Sequence, residues 1–561
     1  MRLTHWIPAL ALAALLATPS FAAWPENGLP VGTGAGVQRF ETLVPDDAGG
    51  AYVFWWSNSA TPSHVQRVTR EGAIAPGWPA EGLALGTQVL VAATADDNGG
   101  IYLLSSGREW VDTGPAQLYG RRLFVHHFDR EGQRSASWPD SGIVVWSEQY
   151  PMGDDYGLKL ISSRGSFADG AGGATFALKW ERAWLYEGCI VLHVDSTGTC
   201  RNDAFALSGY MREIEDFAPD ALGGLTILKA TAYYSAYEPD TVAVRRYSPA
   251  SGFTPWRTLG TGSYYGAEVQ AIRLAPGPDV LLSWKLNGER LCTLLRVDAL
   301  LDAAPLWPAV GVPGQLEPLC SDAQGGVLAR AWVADTSRVQ RLDMSAAPAT
   351  ALWPSGALPI EDYRYLVADG LGGFFQATTR PGYPLPPVDT LRAFHVGANG
   401  QPAPSWPSRG RVIAANAQLD SWGGYYQEGH GLMLAEPGAA LIGWTQLPSA
   451  SSDAFVQRLA DDVAVPTAVG PPAARIALRG FVRNPTTLDA TVEFTLTDAQ
   501  PARLELYDVS GRMLARRDVG GMGAGSHRVR LGDGLALRPG LLFARLVRGD
   551  EARTAKAALL R

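Results

Sequence analysis

Acidic residues set into glycine turns are the first candidates for chemistry in this sequence. Asp46 opens the phrase DDAGGAYVFW, and the same Asp-x-x-Gly-Gly spacing returns at Asp96, Asp169, Asp220, Asp322 and Asp369. Calcium sites concentrate several oxygen ligands in one loop. Here each turn offers one or two carboxylates followed at once by apolar residues, so a structural turn is favoured: the Asp accepts hydrogen bonds from amides ahead of it, and one glycine takes a positive φ. His126 and His127 are adjacent in an alternating segment. Their side chains should leave opposite faces of a strand, one buried and one exposed, and cannot readily share a metal. The acid pairs Asp154 with Asp155 and Glu213 with Asp216 could flank a glycosidic bond, although the solvated-loop reading is favoured. No HExxH, phosphate-binding glycine loop, Gly-x-Ser-x-Gly elbow or dinucleotide fingerprint is present. The sequence therefore predicts no catalytic residue, no metal ligand set and no cofactor.

Four cysteines, Cys189, Cys200, Cys292 and Cys320, are spaced wrongly for a metal or redox CxxC site. In an oxidising compartment they allow three pairings. Sequence neighbours are the preferred ones, Cys189 with Cys200 and Cys292 with Cys320, and buried thiols are the alternative.

These residues are positioned by a repeat. Each Asp-x-x-Gly-Gly strand is followed by a loop of variable length and a second alternating segment, beginning at His64, Leu123, Cys189, Val242, Cys292, Arg338, Leu391 and Phe455. Period-two alternation with a trailing Gly marks a half-buried strand and its exit turn. A Trp-Pro phrase follows at Trp24, Trp78, Trp138, Trp307, Trp353 and Trp406, with a weaker version at Trp256. The Trp offers apolar surface to bury and the Pro cannot donate to a ladder, which suits a packed connection between units. Degenerate phrases at Ala275 and Ala435 replace the glycine turn in two units.

Units of this length predict an all-β β-propeller of about eight four-stranded blades, with seven as the alternative count and one blade shared between the two ends of the ring. The variable loops should all emerge on one face and carry aromatic residues: Trp110, Tyr119, Trp184, Tyr186, Tyr233, Tyr234, Tyr237 and Tyr383. Variable loops on a rigid scaffold commonly carry recognition, and these residues are the candidate binding set.

The chain has 63 Gly, 39 Pro and 18 Trp, with 47 basic against 55 acidic residues in 561. That composition suits many short strands and disfavours disorder, and the acidic balance without long runs of one sign argues against nucleic-acid binding. Residues 1–22, with Arg2, an apolar run from Trp6 to Leu16 and Ser20-Phe21-Ala22, read as a secretory signal peptide. No later run is long and apolar enough to span a membrane.

The propeller is expected over 23–465 and a Pro/Ala/Gly-rich linker over 466–473. Residues 474–561 contain four alternating segments and read as a small immunoglobulin-like β-sandwich. Here NPTT at Asn484 and Pro485, LYDVSGR with Tyr507, Asp508, Gly511 and Arg512, RPGLLFARL with Gly540, and the ending KAALLR at Lys556 are quotable motifs. Together they resemble the C-terminal sorting domain of type IX secretion cargo and the related domain of flagellar hook-capping proteins. The repeat itself resembles uncharacterised propeller-like repeats that precede such domains in secreted bacterial proteins. That resemblance implies an address, the outer cell surface or the medium by way of the periplasm, and export machinery as a partner. The expected function is a non-catalytic binding or adhesion scaffold for a glycan or surface protein, with a secreted propeller glycoside hydrolase or polysaccharide lyase as the alternative.

Overall fold

The computed structural model describes residues 24–461 and 477–559, except for segments 113–116, 135–137, 152–158, 163–165, 183–185, 207–210, 234–239, 263–267, 286–291, 354–364, 382–388, 420–430, 447–451, 482–489, 497–499 and 532–536 and isolated positions of one or two residues. The expected signal peptide and linker fall outside the described residues. Contacts divide the chain into two compact units, Met1–Asp461 and Asp462–Arg561.

The first unit is a ring of eight antiparallel sheets. Blade 1 runs Gln38–Pro45, Ala51–Ser57, Ser63–Val68, Leu83–Ala84, each strand paired with the next. Blades 2 to 7 repeat this up-and-down order over 89–151, 159–206, 211–262, 268–314, 317–351 and 366–415. Blade 8 takes Leu432–Glu436, Ala439–Gln446 and Asp453–Ala460 from the end of the unit and its outer strand, Leu29–Gly32, from the beginning, with Leu29 opposite Val456. One sheet is thus shared by both ends of the unit, and the eight-blade count holds.

Closure is visible in the packing. Among the described residues each pair of neighbouring blades encloses its own apolar cluster, and the cluster between blades 8 and 1 joins Val31, Phe40, Val53 and Trp55 to Leu441, Ala454 and Val456. Strands buried on both faces explain why segments such as AYVFWWS are almost continuously apolar. The approach at the seam is close enough that a Cβ on Gly443 would collide with the Phe40 ring.

The Trp-Pro phrase lies elsewhere than expected. Trp78 falls between the third and fourth strands of blade 1, so units counted from Trp-Pro straddle two sheets. Its indole Nε1 donates to the Arg130 carbonyl of blade 2 at 3.0 Å, and Trp353 reaches Ala398 of blade 7 at 2.8 Å. The phrase joins neighbouring blades as a clamp from the outer part of one sheet.

Two glycines of the repeat are replaced in blade 5. Gly72 and Gly77 have φ of 80° and 88°, and the matching positions, by the turn hydrogen bonds they make, are Leu301 and Leu306 at 69° and 68°. A left-handed leucine is strained.

The second unit is a sandwich. Ala477–Phe481, Thr491–Leu496 and Gly525–Arg530 form one sheet; Met513–Asp518, Arg503–Asp508, Gly540–Arg548 and Glu551–Leu559 form the other, in that order. Val492, Phe494, Leu504, Leu506, Leu542 and Leu546 fill its core. Among the described residues of both units no helix is long and apolar enough to cross a membrane.

Candidate functional site

The glycine turns are fully engaged by the scaffold. In blade 1, Asp46 Oδ1 accepts the Ala48 amide at 2.9 Å and the Gly50 amide at 2.8 Å, while Oδ2 accepts Arg67 Nη2 at 2.7 Å. The cation comes from the third strand of the same blade. Blades 4, 5 and 6 use Arg246, Arg296 and Arg341 on Asp220, Asp279 and Asp322. Blades 2, 3 and 7 use His127, His193 and His395 on Asp96, Asp169 and Asp369. The glycines divide two tasks. Gly49 takes the positive φ of 83°, and Gly50 lies so near the Val68 carbonyl that a Cβ would clash with it. In the six glycine turns the carboxylate accepts turn amides and also meets an Arg or His side chain, a structural role. Among the described residues no group of three or more His, Cys, Asp or Glu side chains could hold a metal ion.

Burial raises the pKa of Asp96, Asp169 and Asp369, and their histidine partners and turn amides outweigh it, holding all three below the ordinary carboxylate value.

His126 and His127 diverge as the alternation requires. His127 stacks on Tyr102 at 4.2 Å and meets Asp96 Oδ2 at 2.7 Å, and it is partly rather than fully exposed. His126 is buried and lies 3.1 Å from Ser105 Oγ, the spacing of a serine nucleophile and its base. The tautomer is wrong for that role. Arg134 Nη1 donates to Nδ1 at 3.1 Å, so the ring proton sits on Nε2, where it faces Gln88 Oε1 at 2.7 Å. Ser105 Oγ donates to Gln88 Oε1 instead. Burial, aided by Arg134, lowers the imidazole pKa to about 4. In this arrangement the trio ties strands of blade 2 together, with Ser105 bonded to Gln88 rather than to the imidazole as its base.

Of the acid pairs, only Asp216 has a described side chain. Asp154 and Asp155 lie outside the described residues, and the buried Asp216 accepts the Ala271 amide of blade 5 at 2.9 Å. The preferred disulfides are overturned, since all four cysteines are thiols. Cys189 stands opposite Phe205 and Cys200 opposite Val194, five rungs along the same ladder. Cys292 packs into the cluster between blades 5 and 6, and Cys320 into that between 6 and 7, so a blade separates them. Burial pushes the Cys200 and Cys320 thiols up to about 11 and about 12.

Of the candidate aromatics, Trp184, Tyr234, Tyr237 and Tyr383 lie outside the described residues. Trp110, Tyr119, Tyr186 and Tyr233 belong to strands rather than loops. In an up-and-down sheet the glycine turns and the second-to-third-strand hairpins leave by opposite faces, so all these hairpins share one face. Their strands have six residues each in blade 5, nine in blades 3 and 4, and twelve in blade 2. On the long ladder of blade 2, Trp110 is opposite Tyr119 and Tyr119 opposite Tyr150, one aromatic rung across three strands.

One further residue was missed by sequence reasoning. On the first strand of blade 1, Phe40 pairs with Trp55 and Thr42 with Phe54, leaving Glu41 as the extra residue of a β-bulge. The same bulge position in blade 2 holds Val91, which packs on the cluster between blades 2 and 3. Glu41 therefore puts a carboxyl where the repeat supports an apolar side chain. Its Oε2 is buried without a hydrogen-bond partner among the described residues, and burial raises its pKa to about 8. The available signal was its place, five residues ahead of the turn Asp, as Val91 is ahead of Asp96.

In the sandwich, Tyr507 Oη donates to Glu505 Oε2 at 2.8 Å, and the Arg512 amide donates to Asp508 Oδ1 at 3.0 Å, closing the DVSGR hairpin. Gly540 starts one strand and Lys556 pairs with Phe543 in the last; Asn484, Pro485 and Gly511 lie outside the described residues.

No protein-family model matches the chain, and no curated protein does. Among solved structures it is similar to a prolyl endopeptidase (14% identity, 73% of this chain and 53% of that one, TM-score 0.36) and the WD40 domain of SCAP from fission yeast (10%, 76% and 93%, 0.30). It is also similar to the Hadza microbial sialidase Hz136 (15%, 55% and 63%, 0.25). The chain spans about half the length of the prolyl endopeptidase. The propeller assignment rests on sheet order and ring closure, and the chain is a β-propeller followed by a β-sandwich.

Proposed function

We propose that the chain is a secreted or cell-surface binding scaffold whose recognition surface is the tall hairpin sector of blades 2 to 4, exported through its C-terminal sandwich. The aromatic rung Trp110, Tyr119 and Tyr150 carries this reading. Aromatic residues at paired positions of one ladder suit stacking on sugar rings or anchoring a protein partner. Glycan arrays and pull-downs with the full chain test it. Trp110→Ala with Tyr119→Ala should abolish binding while the unfolding midpoint stays put; a ligand held equally well by that variant would end the proposal. For the address, a chain truncated after Gly470 should stay in the periplasm, and its normal export would refute the sorting role.

Glu41 favours a second reading, a propeller hydrolase or lyase on polysaccharide. A carboxyl kept neutral near pH 7 by burial has the protonation state of a general acid. Polysaccharide turnover abolished by Glu41→Gln would promote this reading over the first; no turnover in the parent chain would dismiss it.

A further inference from the structure

The cation clamps differ at one place, where the chain leaves the ring. In blade 1, Arg67 pairs with Asp46 and also sends Nη1 to the Arg130 carbonyl of blade 2 at 3.1 Å; Arg296 of blade 5 does the same to Met344 at 2.8 Å. The receiving position lies one or two residues past the third strand of the next blade, and the indole of the Trp-Pro phrase donates to the same carbonyl. At the last junction that position is Asp461, the final residue of the propeller unit. It receives with its side chain: Trp406 Nε1 donates to Asp461 Oδ1 at 2.8 Å, and His395 Nδ1 faces the same oxygen at 2.7 Å. The other imidazole nitrogen, Nε2, is 3.1 Å from Asp369 Oδ2.

We infer that His395, Asp369, Asp461 and Trp406 form a pH-sensitive latch that ties the exit of the propeller to blade 7 when the imidazole is a cation and releases it when the imidazole is neutral. The argument is one of donors. A carboxylate only accepts, so a ring with a carboxylate on each nitrogen needs a proton on both. A neutral imidazole has one proton and must turn a lone pair towards one of the two acids. Asp369 is held independently by the Leu371 and Gly373 amides at 2.7 and 2.8 Å, whereas Asp461 is the more exposed acid at the chain's exit. Asp461 is the partner that leaves.

The surroundings agree. The imidazole side chain is 3% exposed, stacks on Phe375 at 4.0 Å and meets the Trp406 edge at 5.9 Å. Among the described residues the charged groups in contact with this cluster are Asp369, Asp461 and Arg411, whose guanidinium lies over Trp406 at 4.3 Å. Burial lowers the His395 pKa, and the two acids outweigh it, so the net shift is upward from 6.5. The latch is therefore complete below 6.5 and is lost as pH rises through the raised value; at the acid end it is lost as pH falls through the lowered value of Asp369.

Amide hydrogen exchange of the full chain tests this, following the peptide over 453–461 from about pH 6 to about pH 9, on either side of the ordinary imidazole value. After correction for intrinsic exchange, its protection should fall about tenfold, the worth of one charge-assisted hydrogen bond, while the peptide containing Arg67 stays flat. His395→Arg, the clamp other blades use, should keep 453–461 protected across the range. Asp461→Asn should leave it less protected at every pH, without the step. A flat wild-type profile, or the same step in His395→Arg or Asp461→Asn, would overturn the latch.

Discussion

On one face of the ring the six glycine turns repeat the bond from Asp Oδ1 to the second Gly amide at 2.7 to 2.9 Å, whereas on the other the hairpin strands range from six to twelve residues. The same sheets supply both faces. The turn face is fixed because each turn Asp is buried or nearly so and has its partners within its own blade, so drift in sequence is costly. The hairpin face ends in strand pairs that can lengthen without disturbing any neighbour, and that is where the candidate recognition residues sit.

Substitutions on the two faces should separate accordingly. The largest effect is expected from Asp46→Ala, which strands the nearly buried Arg67 guanidinium and should cost about 3–5 kcal/mol in urea unfolding. A loss no larger than that of a surface variant would mean the clamps are incidental. Gly50→Ala should cost about 2 kcal/mol or more, because a Cβ there would strike the Val68 carbonyl. Leu306→Gly should stabilise by about 1 kcal/mol, relieving a left-handed leucine that is 76% exposed and loses little packing. Trp110→Ala, on the other face, should change stability by less than about 0.5 kcal/mol while removing ligand binding. A loss of several kcal/mol there would move the hairpin aromatics into the scaffold.

Acid titration sharpens the contrast on the turn face itself. The histidine-clamped Asp96, Asp169 and Asp369 are held below 3.8, so their contribution is present above that value and is lost as pH falls through the lowered ones. Thermal melts should decline below about pH 4, where unperturbed carboxylates titrate.

What the sequence made legible was local. Asp46 to Gly50 closes a turn with its own amides, so residue type and spacing sufficed, and the same holds for Asp508 to Arg512. The blade count followed from the eight copies of the second alternating segment. Features joined across the chain were not legible. His395 meets Asp461 66 residues away, and nothing near either marks the contact. Glu41 is conspicuous only once its bulge is matched to Val91. Nearness misled for Cys189 and Cys200, whose strands are adjacent but whose rungs are not.

The shared last blade has a consequence in time. Phe40 donates its amide to Thr445 Oγ1, a contact 405 residues long, and Leu29 waits for Val456. Contacts of that span are slow to form, and until the final sheet has emerged the strand Leu29–Gly32 lacks its partner and one apolar face of blade 1 is uncovered. Synthesis of this chain therefore passes through a long interval in which the ring is open, and the last strands to appear decide whether the first ones are protected.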